Sequence, residues 1–144
     1  YNTLYRDALG DLQLRVKIME NYISVYTRKQ AIEDGFLIDI NSLSPALDKL
    51  AKEHYKFSIC FTSALWAVVD KAVKNKKWMN DLEGIIHDIL WMSRADKMTL
   101  SPSSVRFTVI ITGAGRKRNH VLELHVHGGD EGEPVITIGY PEDF

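Results

Sequence analysis

Apolar positions along this chain change period twice, and those changes divide it. From residues 3 to 25, Leu4, Ala8, Leu12, Val16, Met19, Tyr22 and Ile23 recur at steps of three and four, which predicts one amphipathic helix. Gly10 lies inside it and lowers helix propensity there by up to ~1 kcal/mol. A short helix over 28–34 follows, started by Thr27 with Gln30 in capping-box spacing and stopped at Gly35. Residues 36–40 then read as a short apolar strand. Ser44-Pro45 opens a helix that buries Leu47, Leu50, Ala51 and Tyr55, and 56–61 is a strand or an extended link. Thr62 caps a helix over 63–74, and Asn80 with Glu83 is a plausible capping pair for the most apolar helix, 81–97.

After Ser101-Pro102-Ser103 the pattern becomes β-branched and partly alternating. Segments 105–111, 120–127 and 135–140 are joined by two turn-like loops, 113–119 and 128–134, so they predict an antiparallel meander. The expected fold is α+β, a three- to four-stranded antiparallel sheet packed against several helices. We expect one domain over 1–144: an N-terminal helix over 1–24, a mainly helical part over 25–100 and antiparallel strands over 104–140.

The 144 residues suffice for one ordinary domain, and 45% hydrophobic with 26% charged residues is usual for a globular protein. A formal net charge of -1 gives no global argument for nucleic acid, although a local basic patch stays open. The lone Cys60 sits in an apolar run, forms no internal disulfide and fits a reducing compartment. No run reaches the ~20 apolar residues that span a bilayer. A cytoplasmic protein without a membrane partner is expected.

Four constellations are candidates for chemistry. Glu123, His125 and His127 share one face of a predicted strand, a spacing from which two histidines chelate a metal; the simpler reading makes them its solvated outer face. The loop 113–119 carries Arg116, Lys117 and Arg118, suited to phosphate or nucleic acid, but it joins strand to strand and is no phosphate-binding loop. Asp130 and Glu131 lie in an acidic turn that lacks calcium-loop spacing. Trp66 with Asp70, and Trp91 with Arg94, would line a cleft if their two helices pack side by side.

The stretch Tyr26-Thr27-Arg28-Lys29-Gln30-Ala31-Ile32-Glu33-Asp34-Gly35-Phe36-Leu37-Ile38-Asp39 resembles the opening signature of a family of small proteins of unknown function from phages, plasmids and other bacterial mobile elements. Thr62-Ser63-Ala64-Leu65-Trp66, Ile89-Leu90-Trp91-Met92, and Gly128 to Ile138 followed by Pro141-Glu142-Asp143 resemble further parts of it in the same order. The resemblance covers about residues 22–144, and its pattern does not require histidine at 125 and 127. It carries no established activity and implies a context in which accessory proteins act against host defences or adjust replication and transfer.

The leading expectation is a non-enzymatic binding protein of a mobile element, an inhibitor of a host defence system, with no cofactor and a host protein as partner. Its contacts would be Arg28, Asp34, Arg116, Lys117, Arg118 and the acidic turn. One alternative is a nucleotide-like ligand held by Trp66 and Trp91 with Asp70 and Arg94. A second is a metal-dependent enzyme built on His125 and His127. Nucleic acid is a further candidate partner, and the N-terminal helix a candidate site of self-association.

Overall fold

The computed structural model describes residues 26–144, so the helix expected over 3–25 lies outside the described residues. Helix α1 (Arg28–Glu33) starts as its sequence dictates: Thr27 Oγ1 accepts from Gln30 N, and Thr27 N donates to Gln30 Oε1. Gly35 leaves it at φ 81°, a left-handed turn that costs glycine nothing. Strand β1 (Leu37–Asp39) and a 3-10 turn (Ile40–Ser42) follow. Helix α2 (Pro45–His54) is capped by Ser44 with proline in the first turn. Strand β2 (Ser58–Thr62) runs into helix α3 (Ser63–Lys74), with Thr62 as both last strand residue and N-cap. Helix α4 (Leu82–Ala95) precedes four strands: β3 (Lys97–Ser101), β4 (Ser104–Ile110), β5 (Asn119–Gly128) and β6 (Pro134–Gly139).

The strands form one six-stranded sheet in the order β1-β2-β6-β5-β4-β3. The α+β class is as expected, but the sheet is larger and mixed. The four strands β6, β5, β4 and β3 are antiparallel neighbours, β2 joins them parallel to β6, and β1 pairs antiparallel with β2. Strand β3 overlaps the expected helix 81–97 only at Lys97 and lies where no strand is expected. It is an edge strand without a buried residue, so no face imposes a period-two signal on its sequence. The pairing of β2 with β6 joins segments far apart in sequence, which local pattern cannot announce.

Asn80 does not cap α4. Asp81 holds the N-cap position without a side-chain bond, and the Asn80 amide donates to Ala72 O and Thr112 O. That bond ties the entrance of α4 to the β4–β5 loop.

The core lies on one face of the sheet. Ile59, Phe61, Phe107, Val109, Leu122, Leu124, Ile136 and Ile138 pack against Leu47 and Ala51 of α2, Leu65, Val69 and Ala72 of α3, and Ile85, Ile86, Ile89 and Leu90 of α4. At roughly 25 cal/mol per Å², burying each such aliphatic side chain contributes about 1.5–3 kcal/mol. The opposite face carries Asp39, Cys60, Thr137, Glu123, His125, His127 and Arg106, by strand alternation and register. Helix α1, the turn after β5 and the C-terminal 3-10 turn (Pro141–Asp143) with Phe144 approach it.

Candidate functional site

The two best-defined signature segments meet at α1. Asp130 accepts from Arg28 N at 2.7 Å and Lys29 N at 3.0 Å, which pairs two orphan donors of the first turn with a carboxylate. The Arg28 guanidinium donates to Thr137 Oγ1 at 2.8 Å and to Ile136 O at 2.7 Å, pinning the same turn to β6. Thr137 Oγ1 lies 2.7 Å from His127 Nε2, and His127 Nδ1 lies 3.2 Å from Gly128 O. These partners assign Nδ1 as the protonated nitrogen and Nε2 as acceptor. Burial, reinforced by the Arg28 charge, holds the His127 pKa below its ordinary 6.5.

Arg28 and Asp130, expected to face a partner, form a staple, with Arg28 half-buried and Asp130 still exposed. The other signature charges have local tasks too. Asp34 accepts from Tyr26 Oη at 2.8 Å, and Asp39 caps the 3-10 turn through Asn41 N and Ser42 Oγ. Glu131 is exposed on the turn that Gly129, Gly132 and Glu133 close by backbone bonds. Between α1, β2 and that turn runs an open groove of about 600 Å³, lined by both signs of charge from Arg28, Lys29, Asp39, Asp130 and Glu133.

Further along β5, Arg106 Nε donates to Glu123 Oε2 at 3.0 Å, and its Nη2 reaches the same oxygen. Glu123 Oε1 accepts from His125 Nε2 at 2.9 Å, and Phe144 stacks on the His125 ring at 3.9 Å. Glu123 is only 5% exposed, so it is not part of a solvated face. Burial pushes its pKa up, but the bonds from Arg106 and His125 outweigh that and leave it below 4.5. Both nitrogens of His127 and the Nε2 of His125 are thus committed to protein partners, and among the described residues no three His, Cys, Asp or Glu side chains gather as a metal set. The result is a hydrogen-bonded track.

The two nucleophile candidates on this face, Cys60 and Thr137, are equally committed. Burial pushes the Cys60 thiol to about 11, which removes the thiolate at neutral pH. Thr137 has a base at hydrogen-bond distance, the geometry that activates a hydroxyl. Yet it is 6% exposed and already held between Arg28 and His127.

The expected aromatic cleft is not assembled. Trp66 packs partly buried against the core, and Asp70 pairs with Lys74 at 2.9 Å. Trp91 stacks on His87 and lines a groove with Asp88, Met92 and Ile110, while Arg94 lines a different one with Tyr55 and Lys97. Trp91 and Arg94 are neighbours on α4, but they line different grooves, and His87 and His54 stand between them.

At one end of the molecule two loops remote in sequence are joined. Asn75 Nδ2 donates to Gly113 O at 3.0 Å, Asn80 Nδ2 to Thr112 O at 2.7 Å, and the Arg118 guanidinium lies over the Trp78 ring at 5.3 Å. Ile111 N donates to Arg118 O, closing the base of the second loop. Buried His120 links to the Lys117 carbonyl through Nε2 at 3.2 Å and to Tyr140 Oη through Nδ1 at 3.0 Å. Burial lowers the His120 pKa below 6.5, in keeping with a neutral ring. Lys74, Lys76, Lys77, Arg116, Lys117 and Arg118 thereby come to one pole, and neither loop (75–80 or 111–118) holds an acidic residue. Among the described residues, Lys76, Lys77, Arg116 and Lys117 make no ion pair. Trp78 and Met79 are exposed between them, at 42% and 89%. The sequence points to 116–118 directly. Nothing local in the sequence places Lys76 to Met79 beside the other loop.

Fold and surface thus define a single-sheet α+β domain, its signature segments stapled together and a basic pole at one end. The chain belongs to the Family of unknown function (DUF6573), which matches residues 18–144. No curated protein and no solved structure matches it.

Proposed function

We propose that this chain is a non-enzymatic binding protein that acts by docking its basic pole on an acidic macromolecule. One observation carries the reading: the Arg28 and Arg106 side chains of the sheet face are held by internal hydrogen-bond partners, whereas no ion pair engages Lys76, Lys77, Arg116 or Lys117 among the described residues. Unneutralised like charges held close together raise the potential around a surface and favour an oppositely charged partner. The commitment of Cys60 and Thr137 to buried positions argues in the same direction. The resemblance of the signature segments to mobile-element proteins supports a bacterial cytoplasm as the setting and inhibition of a host defence system as the role. No helix among the described residues is long and apolar enough to cross a membrane.

The test uses the protein as bait in bacterial extract, beside a variant carrying Lys76→Glu, Lys77→Glu, Arg116→Glu and Lys117→Glu. An acidic macromolecule retained by the first and released by the second is expected. Equal retention by both baits would overturn the reading. So would a nucleotide that raises the melting temperature of both proteins alike, because ligand binding to the folded state must stabilise it.

A further inference from the structure

We infer that the basic pole is a contact surface for single-stranded nucleic acid, with backbone phosphates on Lys76, Lys77, Arg116, Lys117 and Arg118 and a base stacked at Trp78. The inference rests on the binding reading above and names the partner. Charge alone would suit any polyanion. The arrangement of the aromatic group selects among them. Arg118 lies over the Trp78 indole at 5.3 Å, so a guanidinium plane and an indole ring form one half-exposed platform in the middle of the cations. Planar groups of this kind stack on bases irrespective of sequence, while the carboxylates of an acidic peptide pair with the cations and leave the indole face without a stacking partner.

Met79 stands next to the platform, 89% exposed, on a backbone at φ 51°. A non-glycine residue in the left-handed region is strained, and strain of this kind collects at sites of recognition. An apolar tip beside a stacking ring is also what wedges against unstacked bases. The platform is held in place. A Cβ on Gly113 (φ 92°) would lie 3.0 Å from Asn80 Nδ2 and 3.2 Å from Trp78 Cδ1, so the two loops touch through a position only glycine fits. His120 and Asn75 fix the other loop carbonyls. Preorganisation of this kind reduces the ordering cost of binding.

A fluorescein-labelled oligothymidylate of roughly 16 nucleotides is the probe. Anisotropy at low salt should show binding whose logarithm falls with log salt at a slope of roughly −3.5, as five phosphate contacts on a single strand require. Lys77→Glu with Arg116→Glu and Lys117→Glu should weaken it at least about tenfold. In a Trp91→Phe background, the oligonucleotide should quench tryptophan emission, and Trp78→Phe should abolish most of that quench. Lys77, Trp78, Arg116 and Lys117 are exposed loop residues and Trp91 is an exposed position of α4, so circular dichroism should be unchanged. No binding at low salt, or binding insensitive to both salt and charge reversal, would overturn the inference. If oligoglutamate binds and the oligonucleotide does not, nucleic acid is wrong and the binding reading survives. If neither binds and the bait retains nothing, both fall.

Discussion

The α1 staple and the basic pole are built from the same residue types, and they use charge in opposite ways. At the staple, Arg28 and Asp130 are turned onto backbone and side-chain partners, so their charge is converted into the attachment of α1 to β6 and to the following turn. At the pole, asparagine amides and a buried histidine hold the loops together, and the cations are left facing outward. Apart from Arg118 over Trp78, neutral groups do the structural joining there. The comparison teaches that a charged signature residue is not thereby a binding residue. What matters is whether the fold already satisfies it.

Perturbing the two regions should therefore give different phenotypes. The largest effect belongs to Arg28→Met, which removes charge-assisted bonds to Ile136 O and Thr137 and should cost about 3 kcal/mol in urea unfolding. A loss below about 0.5 kcal/mol would mean the staple is not structural. Gly113→Ala should cost about 1–2 kcal/mol, because it places a Cβ against Asn80 and Trp78 at a positive φ. Unlike Arg28→Met, it should also weaken binding at the pole.

Acidification gives a smaller effect with a definite sign. Burial holds the folded-state pKa values of His54, His120 and His127 below 6.5. Between those values and 6.5 the unfolded chain binds more protons, so stability is complete above about 6.5 and declines as pH falls below it. Glu123, held below 4.5, adds a second decline in more acid solution. Thermal melts at about pH 7.5 and about pH 5.5 should show a lower midpoint at the acid end. A higher one would contradict the neutral assignments of His120 and His127. The smallest effect on stability is expected from Lys77→Glu with Arg116→Glu, within about 0.5 kcal/mol, since neither side chain has a partner to lose.

Much of the fold was legible in local sequence. The Thr27–Gln30 box, Gly35, Ser44-Pro45 and Thr62 each have a one-turn physical reason to stand where they do, and each does so. Strand β3 and the parallel partnership of β2 with β6 were not, because an exposed edge leaves no period and register between distant strands is a tertiary property. Half of the candidate site behaved likewise. Arg116 to Arg118 announced themselves as a basic run, but their neighbours Lys76 to Met79 became visible only once Asn75 and Asn80 were seen to tie the loops. Arg28 and Asp130 show the complementary case, a structural task that neither residue announces. A bond between residues 102 apart in sequence cannot be read from either one.

The most direct test measures stability and affinity together on Asp130→Ala and on the paired Lys77→Glu, Arg116→Glu protein. Removing the Asp130 carboxylate should lower unfolding free energy by about 1 kcal/mol, as loss of a helix cap does, and leave oligothymidylate affinity unchanged. The pole variant should keep its stability and lose affinity at least about fivefold. That crossed pattern is the account's prediction. Affinity falling more in the folded Asp130→Ala protein than in the pole variant would contradict it.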